Sequence, residues 1–171
     1  MIKHTLASSD EVCKQEAKLD SGNQPTRRNR AMTDINTDYF SRCIATLERA
    51  FHGLQGLAPE DDLYDIYRAA CVKEFEIILE QAGKLLKKCL KPFFATSKQA
   101  DQLTFKDIFR HGAKHGLLEL DEVERWLRYR DNRNGTAHDY GEGFAEETLR
   151  LLPQFIIDAQ HLHGVIQRHG E

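Results

Sequence analysis

The chain lacks the features that mark several large protein classes. Its four cysteines, Cys13, Cys43, Cys71 and Cys89, are widely separated and include no C-x-x-C pair. Neither a thiolate zinc site nor a disulfide scaffold is indicated, and the thiols are expected to be reduced and mostly buried. No uninterrupted apolar run approaches the roughly 20 residues that span a bilayer, and the first residues lack the apolar core of a secretory signal. A cytoplasmic protein with no membrane association is expected. An excess of positive charge is also missing. The formal net charge of -3 argues against a surface that coats nucleic acid and confines any RNA contact to a local patch. Finally, no strand-like alternation appears, and Gly141-Glu142-Gly143 has no strand before it, so no nucleotide-binding glycine loop is indicated.

What the chain does have is helical periodicity. With 171 residues, 40% hydrophobic and 30% charged, it can build one domain with a sizeable core. Residues 1–35 carry little apolar pattern and include the basic run Arg27-Arg28-Asn29-Arg30, so they are expected to form a disordered extension, with the folded domain over 36–171. From Asn36, the residues Phe40, Cys43, Ile44, Leu47, Phe51 and Leu54 recur at three and four positions, which predicts a helix that ends at Leu57-Ala58-Pro59. Pro59 with Glu60, Asp61 and Asp62 predicts the start of a long second helix. That helix runs to about Leu90, and Leu63, Ile66, Phe75, Ile78, Leu79 and Leu86 lie on its apolar face.

Pro92 to Gln102 reads as a loop, followed by a short helix from Phe105 to His115 and a fourth from Asp121 to Arg133 around Val123, Trp126 and Leu127. The last helix is expected from near Thr136 to Gly170, kinked at Pro153. The fold class is therefore all-α, a bundle of about five helices without a sheet. His111 and His115, four apart, could face a metal together, but no third ligand stands at motif spacing. Neither a metal nor a cofactor is expected.

Groups suited to chemistry concentrate in Arg133-Asn134-Gly135-Thr136-Ala137-His138-Asp139-Tyr140. An arginine can hold or neutralise a phosphate through its fork of donors, and a histidine can move a proton near neutral pH. Asn134-Gly135 suits a helix stop, and Thr136 with Asp139 resembles a capping box, so His138 is expected in the first turn of the last helix. There the helix dipole would favour neutral, basic imidazole. Arg125, Arg128, Arg130 and Arg133 crowd into nine residues, diluted by Asp121, Glu122, Glu124 and Asp131. They form either a local phosphate-binding patch, with Arg130 and Asn134 as candidate phosphate or RNA contacts, or an ordinary solvated helix face. An isolated R-x4-H has an equally plain structural reading: a capping arginine, with a histidine and tyrosine packed under the next helix.

Four landmarks taken together resemble the HEPN superfamily: Phe75-Glu76 in a long second helix, Lys106 to Gly116-Leu117-Leu118, Trp126, and Arg133-x4-His138-x-Tyr140. Within it, they are most similar to the HepT-like, nucleotidyltransferase substrate-binding branch, over about Phe40 to His163. The resemblance implies an up-and-down HEPN-like bundle that forms a homodimer and works beside a minimal nucleotidyltransferase acting as antitoxin. In toxin members the motif is a metal-independent endoribonuclease site at the dimer cleft, which implies Arg133 and His138 as catalytic residues and RNA as substrate. The resemblance further implies that the partner neutralises the toxin by adding AMP to Tyr140. The alternative within the family is a non-catalytic substrate-binding subunit of the nucleotidyltransferase, and outside it a plain helical interaction module.

Overall fold

A computed structural model describes residues 35–135 and 142–170. Six α-helices make up the described fold: α1 (Asp38–Gln55), α2 (Tyr64–Leu90), α3 (Ser97–Asp101), α4 (Phe105–Lys114), α5 (Leu120–Gly135) and α6 (Glu142–Gly170). No strand occurs among the described residues, and no described helix is long and apolar enough to cross a membrane. The extension expected over residues 1–35 falls, apart from Ile35, outside the described residues. Ile35 itself is buried in the core.

The long α2 is the central element and packs on α1, α4 and α6. Its apolar face supplies Cys71, Phe75, Ile78, Leu79, Ala82 and Leu86, all essentially inaccessible. Helix α1 lies antiparallel to α2 and approaches closely at Gly53, where a Cβ would stand 2.7 Å from the Tyr67 ring. Trp126 of α5 stacks on Phe109 of α4 at 5.0 Å and meets Phe155 of α6 edge-on at 5.6 Å, and Phe155 in turn packs 4.5 Å from Phe75 of α2. One aromatic cluster therefore joins four helices. Each such ring pair adds about 0.5–1.5 kcal/mol beyond the area it buries.

Two expected boundaries differ from the structure. The second helix starts at Tyr64 rather than Pro59. The Asp61 carboxylate accepts a hydrogen bond from the Leu63 amide at 2.8 Å, and the Asp61 amide donates to the Ala58 carbonyl, so this acidic stretch closes local turns. Leu63 and Ile66, expected on the apolar face, are consequently exposed at 48% and 63%. The stretch from Pro92 to Gln102, expected as a loop, contains a 3-10 turn over Lys91–Phe93 and the short α3. Thr96 and Gln99 form a reciprocal capping box that satisfies the first amides of α3. This accounts for the helix beyond the expected five.

The start of α4 agrees with the sequence reading, because Thr104 accepts from the Asp107 amide while Asp107 bonds back to Thr104. Its end is a Schellman turn: Leu117 donates to the Gly112 carbonyl and Gly116 to that of Ala113, both at 2.9 Å. Gly116 holds φ at 69°, and a Cβ there would meet nothing within 4 Å. Gly116→Ala is therefore expected to cost about 1–2 kcal/mol from backbone conformation alone. Urea denaturation measures this, and an unchanged midpoint would contradict it.

Candidate functional site

Helix α5 carries the described half of the motif. It continues through Asn134 to Gly135, so Arg133 and Asn134 sit on its last turn, both exposed to solvent. The Arg133 Nε lies 3.8 Å from the Glu76 Oε1 on α2, which lets the central helix hold the guanidinium at the end of α5. One turn earlier, the Arg130 guanidinium stands 5.1 Å over the Phe105 ring at the start of α4, a cation–π contact. Neighbouring Asp131 pairs with Lys106 at 2.9 Å. Glu80, one turn beyond Glu76, has its carboxyl held below its usual range by Lys84 first, with smaller contributions from Arg133 and Arg130.

His138 and Tyr140, and the expected start of the last helix near Thr136, lie outside the described residues. The structure therefore brings together Arg130, Arg133 and Asn134 of the expected site on the last turns of α5.

Side chains that, apart from Arg125 and Glu122, the sequence reading did not single out hold α5 and α6 antiparallel on either side of this junction. Asn132 donates to Thr148 Oγ1 at 3.1 Å, and Thr148 is completely buried. Nearly three turns deeper on α6, Asp158 is 2% exposed and accepts four hydrogen bonds. Arg125 supplies two in bidentate fashion, both at 2.8 Å, Tyr129 donates its hydroxyl at 2.7 Å, and Gln154 donates at 3.1 Å. Burial, reinforced by the hydrogen bond to Asp158, pushes the Tyr129 phenol well above its ordinary value. Further along, Glu122 is buried against His161 Nδ1 at 3.0 Å, and burial raises its carboxyl above the usual range. The signal for these residues was present in the sequence: Thr148 and Asp158 are polar residues spaced with Leu152, Phe155 and Leu162 on the apolar stripe of α6.

His111 and His115 stack 6.0 Å apart, and each rests on a phenylalanine: Phe94 at 5.0 Å and Phe93 at 4.2 Å. Among the described residues, no cluster of three or more potential ligands surrounds them. Cys43, Cys71 and Cys89 are buried thiols, and burial raises Cys71 to about 11. Cys13 lies outside the described residues.

Comparison with known proteins places this geometry in context. Residues 35–168 match the family described as nucleotidyltransferase substrate binding protein like. A Haemophilus influenzae protein named "Probable ribonuclease HepT" is 29% identical over 107 residues, which cover 63% of this chain and 72% of that protein. Among solved structures, one from Haemophilus influenzae is described as the fold of a substrate binding domain of a nucleotidyltransferase. It superposes with a TM-score of 0.66 at 22% identity, covering 77% of this chain and 99% of that one. A Thermus thermophilus crystal structure gives a TM-score of 0.53 at 27% identity over 71% of this chain and 99% of that one. These likenesses agree with the helical bundle seen here, and the match across residues 35–168 settles the family. The chain is a member of the HepT-like, nucleotidyltransferase substrate-binding family of HEPN proteins.

Proposed function

We propose that this protein is a HepT-like toxin: a metal-independent endoribonuclease, acting as a homodimer, that a partner nucleotidyltransferase neutralises by adding AMP to Tyr140. The observation that carries the reading is the setting of Arg133. It is solvent-exposed at the end of a packed helix, held from behind by Glu76 at 3.8 Å, five residues before His138 in a chain similar to a probable ribonuclease. Metal-free cleavage of RNA needs a base for the 2'-hydroxyl proton, positive charge against the phosphorane, and an acid for the leaving oxygen. His138 takes the first role and Arg133 the second. A second copy of His138 across a dimer cleft supplies the third. Arg130 and Asn134, on the same end of α5, are the flanking phosphate or RNA contacts.

The test is RNA cleavage by the purified protein in excess chelator. Wild-type protein is expected to cut, and Arg133→Ala to cut about a hundred- to a thousand-fold more slowly, the usual loss for one preorganised charge-stabilising donor. Chelator that abolishes cleavage, or an Arg133→Ala protein of wild-type rate, would sink the assignment. The family match itself favours one second reading, a non-catalytic subunit that presents substrate to the nucleotidyltransferase. On that reading the protein leaves RNA intact and raises the partner's turnover.

A further inference from the structure

The four arginines of α5 divide between two faces of the helix. Arg130 and Arg133 turn towards α4 and α2. Arg125 and Arg128 instead line a cavity of about 150 Å3 between α5 and α6, together with Tyr129, Arg150, Leu151 and Gln154. None of these described lining residues is acidic. Two carboxylates hold Arg125: the exposed Asp121, 3.0 Å from its Nη1, and Asp158, which lies beneath the floor at 2% exposure with both oxygens already taken by Arg125, Tyr129 and Gln154. Asp158 thus orients Arg125 while presenting almost no negative surface to the cavity.

The other two arginines are weakly committed. Arg128 makes no ion pair among the described residues. Arg150 reaches only Glu147, at 3.4 Å in a pair whose side chains are 75% and 53% exposed, an arrangement that contributes little and rearranges readily. A cavity of about 150 Å3 has room for a phosphate group. Guanidinium forks suit its oxygens.

We propose that this cavity is a phosphate subsite, which takes a phosphodiester of a bound single-stranded RNA other than the one being cleaved. The substrate's identity rests on the ribonuclease reading above; the oxyanion chemistry of the cavity does not. At 1.5 Å per residue, Arg128 lies about 7.5 Å along α5 from Arg133, and the two turn to different faces of the helix, Arg133 towards α2 and Arg128 towards α6. They therefore meet different phosphates of the same strand. The subsite anchors RNA along the α5–α6 groove and sets its register on the motif.

The test titrates the full-length protein against a labelled 2'-O-methyl oligouridine, which lacks the hydroxyl needed for cleavage, and follows anisotropy at several salt concentrations. Arg128→Ala with Arg150→Ala is expected to raise Kd about tenfold at low salt. The slope of log K against log salt should fall by about 0.7, the value for one phosphate that the protein no longer neutralises. Arg128→Lys with Arg150→Lys should recover part of the affinity. Both side chains are exposed, and an unchanged melting temperature verifies the fold. On cleavable RNA the double alanine variant should raise KM and leave kcat near wild type. Equal Kd and equal slope in all variants would overturn the subsite. Binding that depends on these arginines in a protein that cleaves no RNA would support the subsite and overturn the ribonuclease reading alone.

Discussion

His138→Ala is expected to lower RNA cleavage about a hundred- to ten-thousand-fold, the usual contribution of a positioned general acid or base, while binding of uncleavable RNA stays within about two-fold of wild type. The split follows from the roles assigned. His138 exchanges protons only as the 2'-oxygen attacks and the 5'-oxygen leaves, so its loss raises the barrier without removing ground-state contacts. Arg133→Ala should differ, because a guanidinium that contacts the phosphate before reaction also contributes to binding, and its removal should change kcat and KM together. Single-turnover cleavage measured beside an anisotropy titration separates the two effects. A His138→Ala protein that cleaves at the wild-type rate would remove the histidine from the chemistry. One that cleaves slowly only because it no longer binds would reassign it to substrate contact.

Asp158→Ala is expected to destabilise the fold by about 3 kcal/mol, near the lower end of the range for breaking a buried charge pair. The lower end applies because the Arg125 side chain is 30% exposed and can turn to solvent once its partner is gone. Tyr129 cannot: it is 2% exposed, and its hydroxyl, 2.7 Å from Asp158 in the native protein, would lose its acceptor at a cost of about 1–3 kcal/mol. Asp158→Asn should cost less, since it keeps the volume and one acceptor. Urea denaturation of the two variants, with Tyr129→Phe in each background, measures this. Tyr129→Phe should cost less beside Asp158→Ala than alone, and equal costs would show that the two groups act independently. An Asp158→Ala protein as stable as wild type would show that the helices are held by apolar contacts alone.

Much of the helical frame was legible because it rests on local rules. The capping residue Thr104, the stop at Gly116, the apolar stripe around Trp126 and the end of α2 before Pro92 are each set by residues within a turn or two of the boundary. The late start of α2 was not legible. Pro59 and its acids satisfy helix-opening preferences, yet Asp61 finds the Leu63 amide and spends the segment in turns. The short α3 depended on a capping box in a stretch with no apolar period. At the candidate site, the motif residues could be read from spacing. Thr148 and Asp158 stood out as polar residues on an apolar stripe, but their partners could not be read, because Asn132 finds Thr148 sixteen residues away and Arg125 finds Asp158 thirty-three away. The split of the arginine run between two helix faces likewise required the neighbours on each side.

The sole tryptophan of the chain, Trp126, sits where α4, α5 and α6 converge, fully buried among Phe109, Tyr129 and Phe155. Its indole emission comes from one environment, on the same helix as Arg128 and Arg133. The native protein therefore carries its own optical reporter, blue-shifted while the three helices stay packed, so that the stability of every variant above can be followed without any added dye.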